Sequence, residues 1–410
     1  MRLLVYSHDA YGLGNIRRML AICEHLLQEI SGLSILLLSG SPMLQGFRLP
    51  QGLDYIKLPC VNRGETGEIA VKYLGMGIEE TVKLRSELIL SAAVNFQPDV
   101  FLVDKKPYGL KHELTDTLNY LQTQIPETKL VLLLRDILDS PEKTINEWQK
   151  NAFYEAIEKY YHQVQIVGTP EVFDTAKEYQ FPPSVTEKVR YCGYIKRQPG
   201  LKSKKRIREA LQVSQDERLI LVTPGGGEDG YELVDNYLSA LKLLPEQHHI
   251  KSLIICGPEM PLQQKKLVFQ AAAANPQVKI GEFTDDMMSY MSAADIIVSM
   301  AGYNTICEIL SAEKPAVILP RSKPSQEQLI RAEKMANLGF FKTINSENIT
   351  TQNLRQALLN QLKNSQHQQK NQLDMNALPQ ITEKISLLLT QTICERQMSK
   401  TSPETLLTTY

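Results

Sequence analysis

The chain has little from which to build a disulfide or metal framework. Its six cysteines, Cys23, Cys60, Cys192, Cys256, Cys307 and Cys394, are widely scattered, with no CxxC pair and no Cys/His spacing suited to zinc. A stapled secreted domain is therefore not expected, and a reducing, cytoplasmic setting is. No apolar run approaches the ~20 residues that cross a bilayer, so at most peripheral contact with the inner face of a membrane is expected. The opening MRLLVYSHDAYG lacks the long apolar region and small-residue cleavage site of a signal peptide. Neither sign of charge prevails: 45 Lys plus Arg against 46 Asp plus Glu leave a formal net charge of -1, giving no overall field to gather nucleic acid. What the chain does have is a globular balance, 43% hydrophobic and 22% charged, over 410 residues. That length suits two domains better than one core.

Short β-branched and Leu-rich runs alternate with helical patterns from end to end, the mark of βαβ units and parallel sheets. In the first half strands are expected at Leu3–Tyr6, Ser34–Leu38, Val100–Val103, Lys129–Leu134 and Gln165–Val167. The stretch Val189–Lys205, with Gly193, Pro199, Gly200 and a cluster of cations, reads as the interdomain connection. A second series follows at Leu219–Thr223, Ser252–Cys256, Val278–Ile280, Asp295–Ser299 and Ala316–Leu319. The expected fold is α/β, two Rossmann-like doubly wound domains facing across a cleft, with domains at 1–190 and 205–365 and a linker at 191–204. A final helix within 366–396 and a disordered tail at 397–410 complete the expectation.

Two turns in the second series carry chemistry. In LILVTPGGGEDGYELV, the triplet Gly225, Gly226 and Gly227 lies between a buried-type strand and a helix, where open parallel sheets bind ligands. The glycines let backbone N–H groups approach phosphate, or they make a tight turn and nothing more. In SMAGYNTICEIL, a strand ends in small residues and Asn304 and Thr305 suit a helix start. The N–H groups of Gly302, Tyr303, Asn304 and Thr305 then form an anion site. Glu308 lies one turn further on the same face, placed to accept ribose hydroxyls, unless it is a surface acid and Asn304 a cap.

The order of these pieces, a Gly-rich loop, then F-x-D-D-M, then S-x-A-G-x-N-T-x-x-E, then a strand ending in Pro and a helix opening with acid and amide, resembles the donor half of GT-B glycosyltransferases of family 28. Its members include the peptidoglycan GlcNAc transferase and diacylglycerol glycosyltransferases. The resemblance is good over Leu219–Phe341 and looser over the first 40 residues. It implies that Gly302, Asn304 and Thr305 meet the diphosphate, with Ala301 also counted to the donor site, Glu308 the ribose, Phe283 and Met287 the base, and Glu327 and Gln328 the sugar hydroxyls. From the residues alone, PSQEQ is equally a helix start whose acid and amides cap it. The resemblance makes a UDP-sugar the donor substrate and requires no cofactor.

In relatives the first loop reads Gly-x-Gly-His. Here Gly12 and Gly14 are followed by Asn15, whose amide takes no proton and can only bind or cap. His8, Asp9 and Asp104, at strand carboxyl ends, are the remaining candidates for a base, with a carboxylate beside His8 expected to raise its basicity. Structural roles for His8 and Asp104 are the alternative. Arg17 and Arg18 open a helix, an unfavourable place for cations unless they meet donor phosphate, an acidic acceptor or a carboxylate. The helix bearing Lys83 and Arg85 either packs on the sheet or meets the acceptor. The expected activity is sugar transfer to an unidentified acceptor, lipid, glycan or small molecule, with no obligatory metal. A nucleotide-sugar hydrolase or 2-epimerase, or a binding protein without catalysis, is the alternative.

Overall fold

A computed structural model of the chain describes residues 1–8, 14–63, 69–245, 248–345, 349–363 and 372–401. The first half contributes β1 (Arg2–Ser7), β2 (Ser34–Ser39), β3 (Leu53–Lys57), the short antiparallel pair β4 (Val61–Arg63) and β5 (Ile69–Val71), then β6 (Val100–Asp104), β7 (Lys129–Arg135), β8 (Gln163–Val167) and β9 (Val189–Tyr191). The second half contributes β10 (Arg218–Thr223), β11 (Ile250–Ile255), β12 (Val278–Gly281), β13 (Ile296–Ser299), β14 (Ala316–Ile318) and β15 (Lys342–Thr343).

The strands assemble into two parallel sheets, ordered β3-β2-β1-β6-β7-β8-β9 and β12-β11-β10-β13-β14-β15. Each order runs outward in both directions from a central pair, β1 beside β6 and β10 beside β13. At such a reversal successive helices go to opposite faces, and a crevice opens at the strands' carboxyl ends. The central strands are near-continuous apolar runs, Leu3–Tyr6, Val100–Val103 and Leu219–Val222, all buried, because helices cover both faces. The protein is thus two α/β domains, each with the reversal that creates a ligand crevice.

All ten strands expected from the sequence are present, with two departures elsewhere. Val189–Tyr191, placed in the connection, pairs with β8 and belongs to the first sheet. The last helix runs Ala377–Thr401, so residues 397–401, expected to be disordered, are helical. That helix packs back on the first domain, with Thr382 Oγ1 against His25 Nδ1 at 2.9 Å. Among the described residues no helix is long and apolar enough to cross a membrane.

The domains are joined by a buried ion pair. Arg331, on helix Glu327–Asn337, sends Nε and Nη2 to the two oxygens of Asp136, just past β7, at 2.7 Å each, and both side chains are 0% exposed. Tyr194 donates a third hydrogen bond to Asp136 at 2.9 Å. Removing one member strands a buried charge, at a cost of ~3–5 kcal/mol. Asp136→Ala is therefore expected to lower unfolding free energy by about that amount in denaturant titrations followed through the buried Trp148. A loss under ~1 kcal/mol would show that the pair does not hold the domains.

Candidate active site

Because β10 and β13 are neighbours, with Thr223 opposite Ser299, the turns that follow them lie side by side. Together they floor a pocket of about 270 Å³. Its lining includes Gly225, Gly226, Gly227, Phe283, Met287, Gly302, Asn304, Thr305, Glu308, Glu327 and Gln328 from the second domain. Gly14, Asn15, Arg17 and Arg18 line it from the first. His8, Asp104 and Ala301 are not among the lining residues. Asp9 and Gly12 lie outside the described residues.

Helix Tyr303–Ala312 opens without a side-chain cap; Gly302 stands at the N-cap with φ -61° and ψ 140°. Among the described residues, the N–H groups of Gly302, Tyr303, Asn304 and Thr305 have no hydrogen-bond acceptor. They are the four donors that any helix start leaves over, here left open toward a pocket. Asn304, expected as cap or phosphate ligand, has its side chain engaged elsewhere. Its Nδ2 donates to the Gly14 carbonyl at 2.8 Å and its Oδ1 accepts from Arg197 Nη2 at 2.6 Å, so only its backbone is available to an anion. Ala301 is corrected too: its N–H donates to Gln328 Oε1 at 3.2 Å and its carbonyl accepts from Arg331 at 2.8 Å. Glu308 is 4% exposed and accepts from Arg17 Nη2, across the cleft, at 3.1 Å.

The glycine triplet divides its work. A Cβ on Gly227 would lie 2.3 Å from the Cys256 carbonyl, and one on Gly226 would lie 2.5 Å from a Glu259 oxygen. Those two glycines serve close packing of backbone and side chain. Gly225, at φ +83°, would meet only the Thr305 hydroxyl, at 3.5 Å, and is needed for its left-handed backbone, its N–H donating to Thr223 Oγ1 at 3.3 Å.

Around the start of helix Glu327–Asn337 the charges pair, one pair across the cleft and one within the second domain. Arg135 Nη1 lies 2.8 Å from Glu327 Oε2, and Arg321 Nη1 donates to Asp229 at 2.7 Å. Burial would raise the Glu327 carboxyl, but Arg135, Arg331, Lys105 and Arg321 outweigh it and hold the group below its ordinary range. Glu259, at the glycine loop, is pushed the other way by burial and by Glu228. Arg135 and Arg321 were not singled out from the sequence. The available signal was position: a cation closing the apolar strand KLVLLLR, and another three residues past β14.

On the first domain, His8 is 4% exposed, and its Nδ1 is buried without a partner among the described residues. Burial, then Lys105, Lys106, Arg85 and Arg135, drive its pKa well below the usual 6.5. Asp104 does not support the ring. Its carboxylate accepts from Arg18 Nη2 at 2.6 Å and from the His8 backbone N–H at 3.4 Å, and it is wholly buried, which removes it as a base. Asn15 is a tether: its Nδ2 donates to the His8 carbonyl at 2.6 Å. Arg85 is buried in a two-pronged pair with Glu113, so its helix is packed on the sheet. Lys105, also unforeseen, stands at φ +72° just past β6, its ammonium pushed down to about 8 by burial and by Arg135 and Lys106.

Residues 219–385 match the family described as "Glycosyltransferase family 28 C-terminal domain". The second domain is thus similar to the C-terminal domain of family 28 glycosyltransferases. Sequence relatives of the chain include enzymes named UDP-N-acetylglucosamine--N-acetylmuramyl-(pentapeptide) pyrophosphoryl-undecaprenol N-acetylglucosamine transferase. The one from Clostridium kluyveri is 28% identical over 177 residues, 42% of this chain and 47% of that protein. The one from Geobacillus kaustophilus is 28% identical over 155 residues, 37% of this chain and 41% of that protein. The chain therefore matches about half or less of these relatives' length. Solved structures cover nearly all of it. MurG from Acinetobacter baumannii superposes with a TM-score of 0.60 at 14% identity, over 94% of this chain and 99% of its own. A putative UDP-N-acetylglucosamine 2-epimerase from Listeria monocytogenes gives 0.65 at 12% identity, over 96% and 97%. At such identities the likeness establishes the GT-B fold, which this family 28-like chain shares.

The buried imidazole of His8 gives a pH prediction. Its folded pKa lies below the unfolded value of 6.5, so the unfolded chain binds more protons in between, and stability falls as pH drops below about 6.5. His8→Gln is expected to flatten this part of the stability-pH curve, measured by denaturation from pH ~7 to ~5. An unchanged slope would mean that His8 does not titrate this way.

Proposed function

We propose that the chain transfers a sugar from a nucleotide-sugar, a UDP-sugar on family grounds, to an acceptor hydroxyl. The observation that carries this is the set of open N–H groups at Gly302–Thr305 with the Glu308 carboxylate one turn along, in one pocket. A diphosphate accepts from the amides, where the helix dipole also favours it. A ribose about one turn, or ~5.4 Å, further donates its hydroxyls to Glu308. Phe283, 58% exposed, and Met287 offer apolar surface for the base. Glu327, kept ionised by its cations, and Gln328 accept from and donate to the sugar.

In the transfer, the acceptor oxygen attacks the anomeric carbon, the bond to the diphosphate breaks, and its electron pair leaves with the phosphate. The acceptor proton goes to the neutral imidazole of His8. Amides and Arg17 meet the leaving group, so the reading requires no metal, and turnover should survive a chelator. The relatives' names, with UDP-N-acetylglucosamine in them, support the uridine donor. The acceptor, whether lipid, glycan or small molecule, is left open. The 2-epimerase neighbours share the fold, so the fold alone does not separate transfer from epimerisation.

Glu308→Ala is expected to weaken UDP binding by about 1–3 kcal/mol in calorimetry, the scale of charged hydrogen bonds. Unchanged affinity would refute the donor site. His8→Ala should lower turnover about 10²-fold or more while sparing UDP affinity. Full activity would remove His8 from the proton's path. Incubation with UDP-sugar and no acceptor separates the classes of activity, since an epimer or rapid release of free sugar would displace the transferase reading.

A further inference from the structure

The carboxylate assigned to the ribose already has a partner. Arg17 reaches Glu308 from the opposite domain, Nη2 to Oε1 at 3.1 Å, with the arginine side chain 35% exposed and the glutamate 5%. Arg17 lies in the first turn of helix Gly14–Glu29, where the helix dipole disfavours a cation and no acid stands nearby in the turn. Among the described residues Glu308 is its one ion-pair partner. Its neighbour Arg18 differs in every respect: buried, fixed to Asp104 at 2.6 Å, and set over the Tyr303 ring. Of the two arginines only Arg17 can change partners without breaking a buried pair.

Two acceptors would then compete for Arg17. Ribose hydroxyls donating into Glu308 supply the hydrogen bonds that the guanidinium provides in the empty site. The diphosphate arrives at the open N–H groups three to six residues earlier on the same helix, a separation of ~4.5–9 Å at 1.5 Å per residue. An arginine side chain on a flexible stem covers that range, and its fork suits phosphate oxygens. We infer that Arg17 is a partner-exchanging donor residue: it shields Glu308 in the empty site and passes to the donor diphosphate when the ribose takes the carboxylate. The inference rests on the donor reading above.

Its consequence is a selection for diphosphate that comes from across the cleft. A nucleoside lacking phosphate must break the Arg17–Glu308 pair and gives Arg17 nothing in return. A nucleoside diphosphate replaces one anion with another. Removing the guanidinium should therefore move the two ligands in opposite directions. With Arg17→Met, UDP binding measured by calorimetry is expected to weaken about tenfold or more, as for a lost charged hydrogen bond. Uridine binding, followed by ligand-observed NMR, is expected to tighten about threefold, the scale of a partly exposed ion pair. Arg17→Lys, which keeps a cation without the fork, should fall between the two for both ligands. Affinities that move in the same direction, or uridine binding without a gain, overturn the exchange while leaving the donor site standing. A wild-type protein that fails to bind UDP refutes the donor reading itself.

Discussion

Two opposite charges taken fully out of water must satisfy each other geometrically, and the Asp136–Arg331 pair does so with both prongs of the guanidinium and a tyrosine hydroxyl. The constraint reaches beyond the two residues. The third nitrogen of Arg331 holds the Ala301 carbonyl, and Gln328, on the same helix, holds the Ala301 N–H. Both polar groups of the residue before the site turn are thereby taken by a neighbouring helix. The chain enters helix Tyr303–Ala312 in a fixed direction, and the next four N–H groups are left without acceptors. The lock between domains and the anion site are thus one construction. It also brings Arg135 to Glu327, Arg17 to Glu308 and Gly14 to Asn304.

The pocket does not attract an anion by net charge. Its cations are answered one by one: Arg17 by Glu308, Arg135 by Glu327, Arg321 by Asp229. What remains for a diphosphate is a row of neutral dipoles, whose pull is local and orientation-dependent. The carboxylates of the GGGEDG turn oppose it less than the sequence suggests. Asp229 is paired, and burial and Glu228 push Glu259 toward its neutral form. With its lining arginines already paired, Arg18 with Asp104 included, the pocket would hold a diphosphate in the proposed donor site through backbone dipoles more than through free cations.

The sheets, and the turn ahead of Thr305, were legible in the sequence because their signals are local. Apolar runs such as LILV and VFLV, and small residues ahead of N-T-x-x-E, are complete within a few positions. The pairs that decide roles are not local. Asp136 and Arg331 are 195 residues apart, and Arg18 and Asp104 are 86. Asp104 therefore read as a free acid at a strand end when it is the buried counter-ion of Arg18. The glycine triplet misled for the opposite reason. Its composition fits phosphate contact, yet Gly226 and Gly227 are small because Glu259 and the Cys256 carbonyl press on them, a contact that only the fold creates. For Asn15 the sequence excluded a base, leaving a binder or cap, because an amide does not take a proton at neutral pH; the fold shows its Nδ2 donating to the His8 carbonyl.

The proton remains the hardest step, and the electrostatics around His8 bear on it in two ways. Among the described residues no carboxylate meets the buried nitrogen of the imidazole, and burial with nearby cations makes it a weak base. The same environment keeps it unprotonated throughout the physiological range, so the lone pair is always available. Cations that disfavour an imidazolium also favour an alkoxide, so Lys105 and Arg135 would ease ionisation of an acceptor hydroxyl brought between them and His8. A weak base facing an acidified hydroxyl can transfer the proton as well as a strong base facing an ordinary one, because the driving force depends on the difference in their affinities. On this view the lysine and arginine at the ends of β6 and β7 do for the acceptor what a carboxylate behind the histidine would otherwise do for the base.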